Sequence, residues 1–125
     1  MKRIPFGKTG REISSIVFGC MSLKPDNPDA GKQAVACALE LGINAFDNAD
    51  VYARGESERI MGEALREAGA DRDDLFITSK CGIVFQGMEP AYEFKAYDLS
   101  ADYVKRSCEA SLKRAGLDYF DLYQP

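Results

Sequence analysis

The sequence predicts an α/β fold built on a parallel sheet, and three observations carry that expectation. Apolar, strand-like runs end near positions 18, 47, 80 and 123, with one helical pattern in each interval. This is the spacing of strand–helix–strand units. Three of the helical patterns close on glycine and lead quickly into the next strand, at Leu41-Gly42-Ile43, Ala68-Gly69-Ala70 and Ala115-Gly116-Leu117. Finally, Asp47 and Lys80 stand at the carboxyl ends of two strands, the end of a parallel sheet at which sites are built.

The elements follow in order. Lys2 to Phe6 and Glu12 to Phe18 read as strands joined by the turn Gly7-Lys8-Thr9-Gly10, so the chain opens on a hairpin. Ile16-Val17-Phe18 is too apolar for a solvated strand, and Gly19-Cys20-Met21-Ser22 is a small-residue exit from it. After the polar loop Lys24 to Pro28, Asp29 is the expected N-cap of a helix carrying Ala30, Ala34, Val35, Ala38, Leu39 and Leu41 on one face. Ile43 to Asp47 is a strand. A second helix runs from about Ser57 to Ala68, apolar at Ile60, Met61, Ala64, Leu65 and Ala68. Leu75 to Lys80 is the next strand, and the long connection Cys81 to Leu99 follows it. Ser100 caps a third helix with Val104, Cys108, Leu112 and Ala115 along one face, and Tyr119 to Tyr123 is a further strand.

Composition removes several classes of function. The 125 residues carry 20 acidic and 16 basic side chains with no basic stripe, which speaks against nucleic-acid and anionic-membrane partners. No apolar run is long enough to cross a bilayer, and no cleavable leader follows Met1, so a cytoplasmic chain is expected. The cysteines Cys20, Cys37, Cys81 and Cys108 lie far apart, in no chelating or redox spacing. Cys37 and Cys108 fall within apolar helical patterns, where a thiol behaves as a small buried hydrophobe. Histidine is absent. No metal site is expected.

The most informative run is Phe46 to Glu58. It places Asp47 at a strand end and Tyr52 on the loop that follows. Lys80, on the next strand, would stabilise the phenolate of a proton-donating Tyr52, and Asp47 would hold Lys80 by a charge-assisted hydrogen bond. Taken singly, each residue has a plainer reading: a loop tyrosine packs, an aspartate after a strand caps a turn, and a strand-end lysine is solvated. Four parallel strands with three helices fit a small open sheet as well as half of an eight-stranded barrel.

Several motifs together resemble successive signatures of the aldo-keto reductase family. They are Phe6-Gly7-Lys8-Thr9-Gly10 with Gly19-Cys20-Met21-Ser22, the run Phe46 to Glu58, Thr78-Ser79-Lys80-Cys81-Gly82, and Ser111-Leu112-Lys113-Arg114 through Tyr123. The resemblance covers essentially the whole chain in the family's order. It implies a (β/α)8 TIM barrel, present here as an incomplete half-barrel with an N-terminal β-hairpin, with residues 1–125 the amino-terminal part of the barrel domain. It also implies an oxidoreductase reducing aldehyde or ketone carbonyls with NADPH, without metal. By the resemblance Tyr52 is the general acid, Lys80 the partner that eases its proton loss, and Asp47 the acid that pairs with Lys80 and contacts the nicotinamide ribose. A main-chain contact to the cofactor falls around Cys20 or Met21.

The family's catalytic histidine falls, in this register, on the residue after Pro125. The expectation is therefore a chain cut short before the barrel is complete, inactive alone. An assembly module is the other reading, with homotypic association through exposed strand edges. The large apolar and aromatic residues of the long connection, Phe85, Met88, Tyr92, Phe94 and Tyr97, read equally as pocket lining and as packing of the loop onto the neighbouring helix.

Overall fold

The computed structural model describes residues 1–84 and 96–125. The opening hairpin is present: β1 (Arg3–Pro5) and β2 (Glu12–Ser14) pair antiparallel, with Ile4 opposite Ile13. Its turn is closed by the Thr9 hydroxyl, which donates to the Phe6 carbonyl at 2.6 Å.

The single strand expected from Glu12 to Phe18 is instead two. Ser14 ends β2 by donating its hydroxyl to the Ile16 carbonyl (2.6 Å), while its backbone N–H goes to Asn44 Oδ1 (2.7 Å). The chain bends at that point, and β3 (Phe18–Gly19) joins a different sheet. Contrary to expectation, Ile16 and Val17 are exposed, at 55% and 48%. Val17 lies on the sheet face that carries no helices, beside Phe6, Ile13 and Phe76.

A short turn at Cys20–Ser22 leads to α1 (Pro28–Glu40). The N-cap is Asn27, whose Oδ1 accepts from the Ala30 N–H at 3.2 Å, rather than Asp29. Pro28 explains the difference: it has no N–H to be capped and suits the first helical position, so the cap falls just before it. Val35 and Ala38 are buried, whereas Leu41 and Cys37 are exposed, so Cys37 is not the buried hydrophobe expected of it.

The order continues with β4 (Ala45–Asp47), α2 (Glu56–Glu67) and β5 (Phe76–Lys80). The long connection holds a small antiparallel pair, β6 (Ile83–Val84) with β7 (Ala96–Tyr97). Of the large side chains expected there, Tyr97 is exposed, and Phe85, Met88, Tyr92 and Phe94 lie outside the described residues. The chain then forms α3 (Ala101–Ala115) and β8 (Leu122–Gln124).

Ser100 caps α3 as expected, accepting from the Tyr103 N–H at 3.3 Å, and Gly116 ends it in the left-handed conformation. The buried stripe, however, is Tyr103, Ser107, Ser111 and Ala115, with Val104, Cys108 and Leu112 only partly covered. The neighbouring helix sets this rotation. A Cβ on Gly62 of α2 would overlap the Ala115 carbonyl, so small side chains must line the contact.

The last strand starts later than the expected Tyr119. The Asp121 carboxylate accepts from the Ile77 N–H (2.8 Å) and from Arg72 (2.8 Å), fixing the entry to the ladder, while Tyr119 stays outside beneath the Arg72 guanidinium.

β3, β4, β5 and β8 form one parallel sheet in chain order, with Phe18 beside Phe46, Phe46 beside Ile77 and Thr78 beside Leu122. Sequential neighbours without a reversal of strand order are the arrangement of a barrel segment rather than of a doubly wound sheet. The main core lies between sheet and helices, with Phe46 and Ile77 from the sheet against Val35, Ile60, Met61, Leu65 and Ala115. On the other face Ile13, Ala45 and Phe76 pack with Phe6 and Leu122, so the hairpin supplies cover there. Among the described residues no helix is long and apolar enough to cross a membrane.

Candidate active site

Asp47 ends β4 and Lys80 ends β5, and the register sets Asp47 beside Thr78. Lys80 is two residues further along and so faces the same side of the sheet as Thr78. Its ammonium donates to Asp47 Oδ1 at 2.7 Å and to the Asn48 carbonyl at 2.6 Å. Both side chains are partly solvated, so the pair adds little stability and serves chiefly to fix where the positive charge sits.

Beyond β4 the backbone stays attached to β5. Asn48 N–H donates to the Thr78 carbonyl (2.9 Å) and Asp50 N–H to the Lys80 carbonyl (3.0 Å), and Tyr52 N–H then closes a turn onto Ala49 (3.1 Å). The chain thereby folds Tyr52 back over Lys80, whose Nζ lies 5.2 Å from the ring centroid. Asp47, Tyr52 and Lys80, picked out from the sequence, are thus brought together. A cavity of about 300 Å³ opens beside them, lined by Asp50, Tyr52, Lys80, Cys81 and Ile83 among others.

The turn that carries Tyr52 is strained. Ala53 and Arg54 have φ of 49° and 55°, and Gly55 has 88°. For the two non-glycine residues this left-handed conformation costs about 1–2 kcal/mol each. Such strain persists only where the surroundings over-determine it.

Cys20 and Met21 follow β3 at the same end of the sheet. They part company in exposure: Met21 is 69% exposed, whereas Cys20 is wholly buried. Burial pushes the Cys20 thiol well above its ordinary range, with the Asp47 charge adding to the effect. The Cys20 carbonyl is already engaged by the Ser57 hydroxyl at 2.7 Å, and the same hydroxyl lies 3.0 Å from Asn48 Oδ1. Ser57 at the start of α2 therefore ties the end of β3 to the end of β4.

Sequence reasoning missed the polar residues packed behind the site. Asp50 is 3% exposed, and its Oδ1 finds no hydrogen-bond partner among the described residues. Burial, with the nearby Glu58 carboxylate, pushes its pKa up to about 6 despite the opposing Arg114. Glu58 is itself fully buried: Oε1 accepts from the Ser79 hydroxyl (2.6 Å) and Oε2 from Arg114 Nε (2.8 Å). One signal was available for Glu58. It stands three, four and seven residues before Met61, Gly62 and Leu65, on the buried face of α2.

Residues 15–125 match the model of the aldo/keto reductase family. The chain is 38% identical over 118 residues to a probable voltage-gated potassium channel subunit beta of Arabidopsis thaliana, and 37% identical over 125 residues to an uncharacterized oxidoreductase, YqkF, of Bacillus subtilis (strain 168). These alignments take in 93% and 99% of this chain but 34% and 38% of those proteins, so the chain spans well under half the length of the relatives it matches. Among solved structures, the holo form of the aldo-keto reductase AKR11C1 from Bacillus halodurans superposes with a TM-score of 0.86 at 35% identity, over 99% of this chain and 39% of that one. The thermostable aldo-keto reductase Tm1743, in complex with the inhibitor epalrestat, gives 0.79 at 29% identity, over 98% and 42%. The strand order, the hairpin and these matches agree: the chain belongs to the aldo/keto reductase family, and its fold is part of that family's (β/α)8 barrel.

Proposed function

We propose that residues 1–125 are the amino-terminal part of a barrel domain that reduces aldehyde or ketone carbonyls with NADPH, with Tyr52 as general acid. The observation that carries this reading is the Lys80 ammonium, held by Asp47 at 2.7 Å and placed 5.2 Å from the Tyr52 ring centroid. The Tyr52 hydroxyl gives its proton to the oxygen of the carbonyl being reduced. The positive charge of Lys80 offsets the charge left on the phenolate, and Asp47 keeps that ammonium in place.

The residues present fit the nicotinamide end of the cofactor. Asp47 uses Oδ1 for Lys80 and is partly exposed, which leaves Oδ2 to accept from a ribose hydroxyl. The main chain around Cys20 or Met21, at the same sheet end, would contact the nicotinamide side of the cofactor. Hydride for the carbonyl carbon comes from NADPH when it is bound. That one of the relatives is named an oxidoreductase supports the redox reading.

The test is aldehyde-dependent oxidation of NADPH by the protein at the length its cell makes, compared with Tyr52→Phe. The expected result is a fall in kcat of about 10²–10⁴-fold, the usual contribution of a positioned proton donor, with NADPH binding retained. An undiminished rate in Tyr52→Phe would remove the assignment.

A further inference from the structure

Arg114 lies at the far end of α3, yet its guanidinium reaches the turn behind Tyr52. A Cβ built on Gly55 would lie 2.5 Å from Arg114 Nε and 2.6 Å from its Cδ. The arginine thus occupies the space that any side chain at position 55 would need. It meets the turn where Ala53, Arg54 and Gly55 run consecutively left-handed. Arg114 is held there by two contacts, Nε to Glu58 Oε2 at 2.8 Å and Nη2 to Ser111 Oγ at 3.0 Å.

Glu58 is the other half of the arrangement. It is the third residue of α2, where a glutamate ordinarily turns back to cap its own helix, but both of its oxygens are taken by other elements. Its carboxylate instead joins two other elements. Oε1 accepts at 2.6 Å from Ser79, the residue immediately before Lys80, and Oε2 takes Arg114. One fully buried carboxylate therefore links the strand that carries Lys80 to the arginine that backs the Tyr52 turn.

The Glu58 carboxylate is fully buried while the Arg114 side chain is 33% exposed, and the desolvation of that carboxylate offsets much of the pair's attraction, so the pair is a poor device for stability. What it provides, and an apolar pair does not, is a single direction at each bond. We propose that the Glu58–Arg114 pair is a positioning clamp, holding the left-handed turn so that Tyr52 stays over Lys80. Neither residue touches substrate. The inference rests on the reductase reading for its kinetic consequence but not for its structural one.

The experiment uses the protein at its natural length, with Arg114→Met, Glu58→Gln, the double variant and Arg114→Lys. Steady-state kinetics with NADPH and a reactive aldehyde are read alongside amide hydrogen exchange. In Arg114→Met, kcat falls about 10- to 100-fold, as expected when a reacting group is slightly misplaced, while KM for the aldehyde stays within about twofold. The amides of Arg54 and Glu56 exchange faster, and those of Asn48 and Asp50, bonded to β5, keep their protection. Arg114→Lys, which retains the charge, recovers part of the rate. The double variant is no worse than the poorer single one, because the two residues act as a unit.

Unchanged kcat together with an unchanged turn in a folded Arg114→Met protein would overturn the clamp. So would faster exchange spread evenly over both sheet and turn, which marks a merely structural pair. If Arg114→Met does not fold, Arg114→Lys carries the same two readouts. An undiminished rate in Tyr52→Phe would defeat the reductase reading alone, since selective loosening of the turn in the arginine variants would still support the clamp.

Discussion

Asp50 and Asp47 lie three residues apart on one connection and meet opposite environments. Asp47 is partly solvated and paired with Lys80, whereas Asp50 is buried, with one oxygen unpartnered among the described residues and a pKa raised from 3.8 to about 6. An acid whose folded pKa is raised binds more protons folded than unfolded, so stability falls as pH climbs from about 4 to 6 and stays lower above that. Asp50→Asn removes the cost of burying the ionised form. The expected result is a gain on the order of 1–2 kcal/mol at pH 8, discounted from the full shift because the site borders an open cavity, with no gain at pH 4. Urea unfolding at the two pH values checks this, and an equal effect at both would show that the charge is not its source. The positions of Asp47, Tyr52 and Lys80 at strand ends and on the following loop were legible as order along the chain, but they stood out as a set only through the family resemblance, since each alone has a plainer reading. Asp50, Glu58 and Arg114 were not legible, because residue type alone does not tell which polar side chain is desolvated.

The helices show the same division. The caps Ser100 and Gly116 are local chemistry and were readable, as was the buried face of α2 at Ile60, Met61, Ala64 and Leu65. The rotation of α3 was not, because it is set by the approach of α2 at Gly62. Gly62→Ala tests that approach. Alanine favours the helix by up to about 1 kcal/mol over glycine, but its Cβ would overlap the Ala115 carbonyl. Separating two packed helices costs about 1–3 kcal/mol. Net destabilisation is expected, seen as a lower denaturant midpoint at unchanged slope, whereas a stabilised variant would mean that the helices do not meet there as described. A smaller effect belongs to Asn27→Ala at the start of α1, where loss of the side-chain cap should cost about 1 kcal/mol.

In the molecule as a whole, the three helices cover one face of the sheet, and the other face holds a hollow of about 440 Å³ lined by Phe6, Ile13, Val17, Phe76 and Leu122 among others. Apolar side chains on an open face, between the outer strands β3 and β8, favour association. The 125-residue polypeptide prepared alone is expected to bind a hydrophobic dye and to grow in apparent size with concentration. Concentration-independent monomers without dye binding would show the face to be covered. The sequence by itself determined the succession of strands and helices, their parallel pairing and the placing of Asp47, Tyr52 and Lys80, because periodicity, glycine stops and order along the chain are local properties. The tertiary structure alone decided the break at Ser14, the rotation of α3, the burial of Asp50 and the union of Glu58 with Arg114 across 56 residues. Each of these depends on which distant surfaces meet, and hence on which groups lose their water.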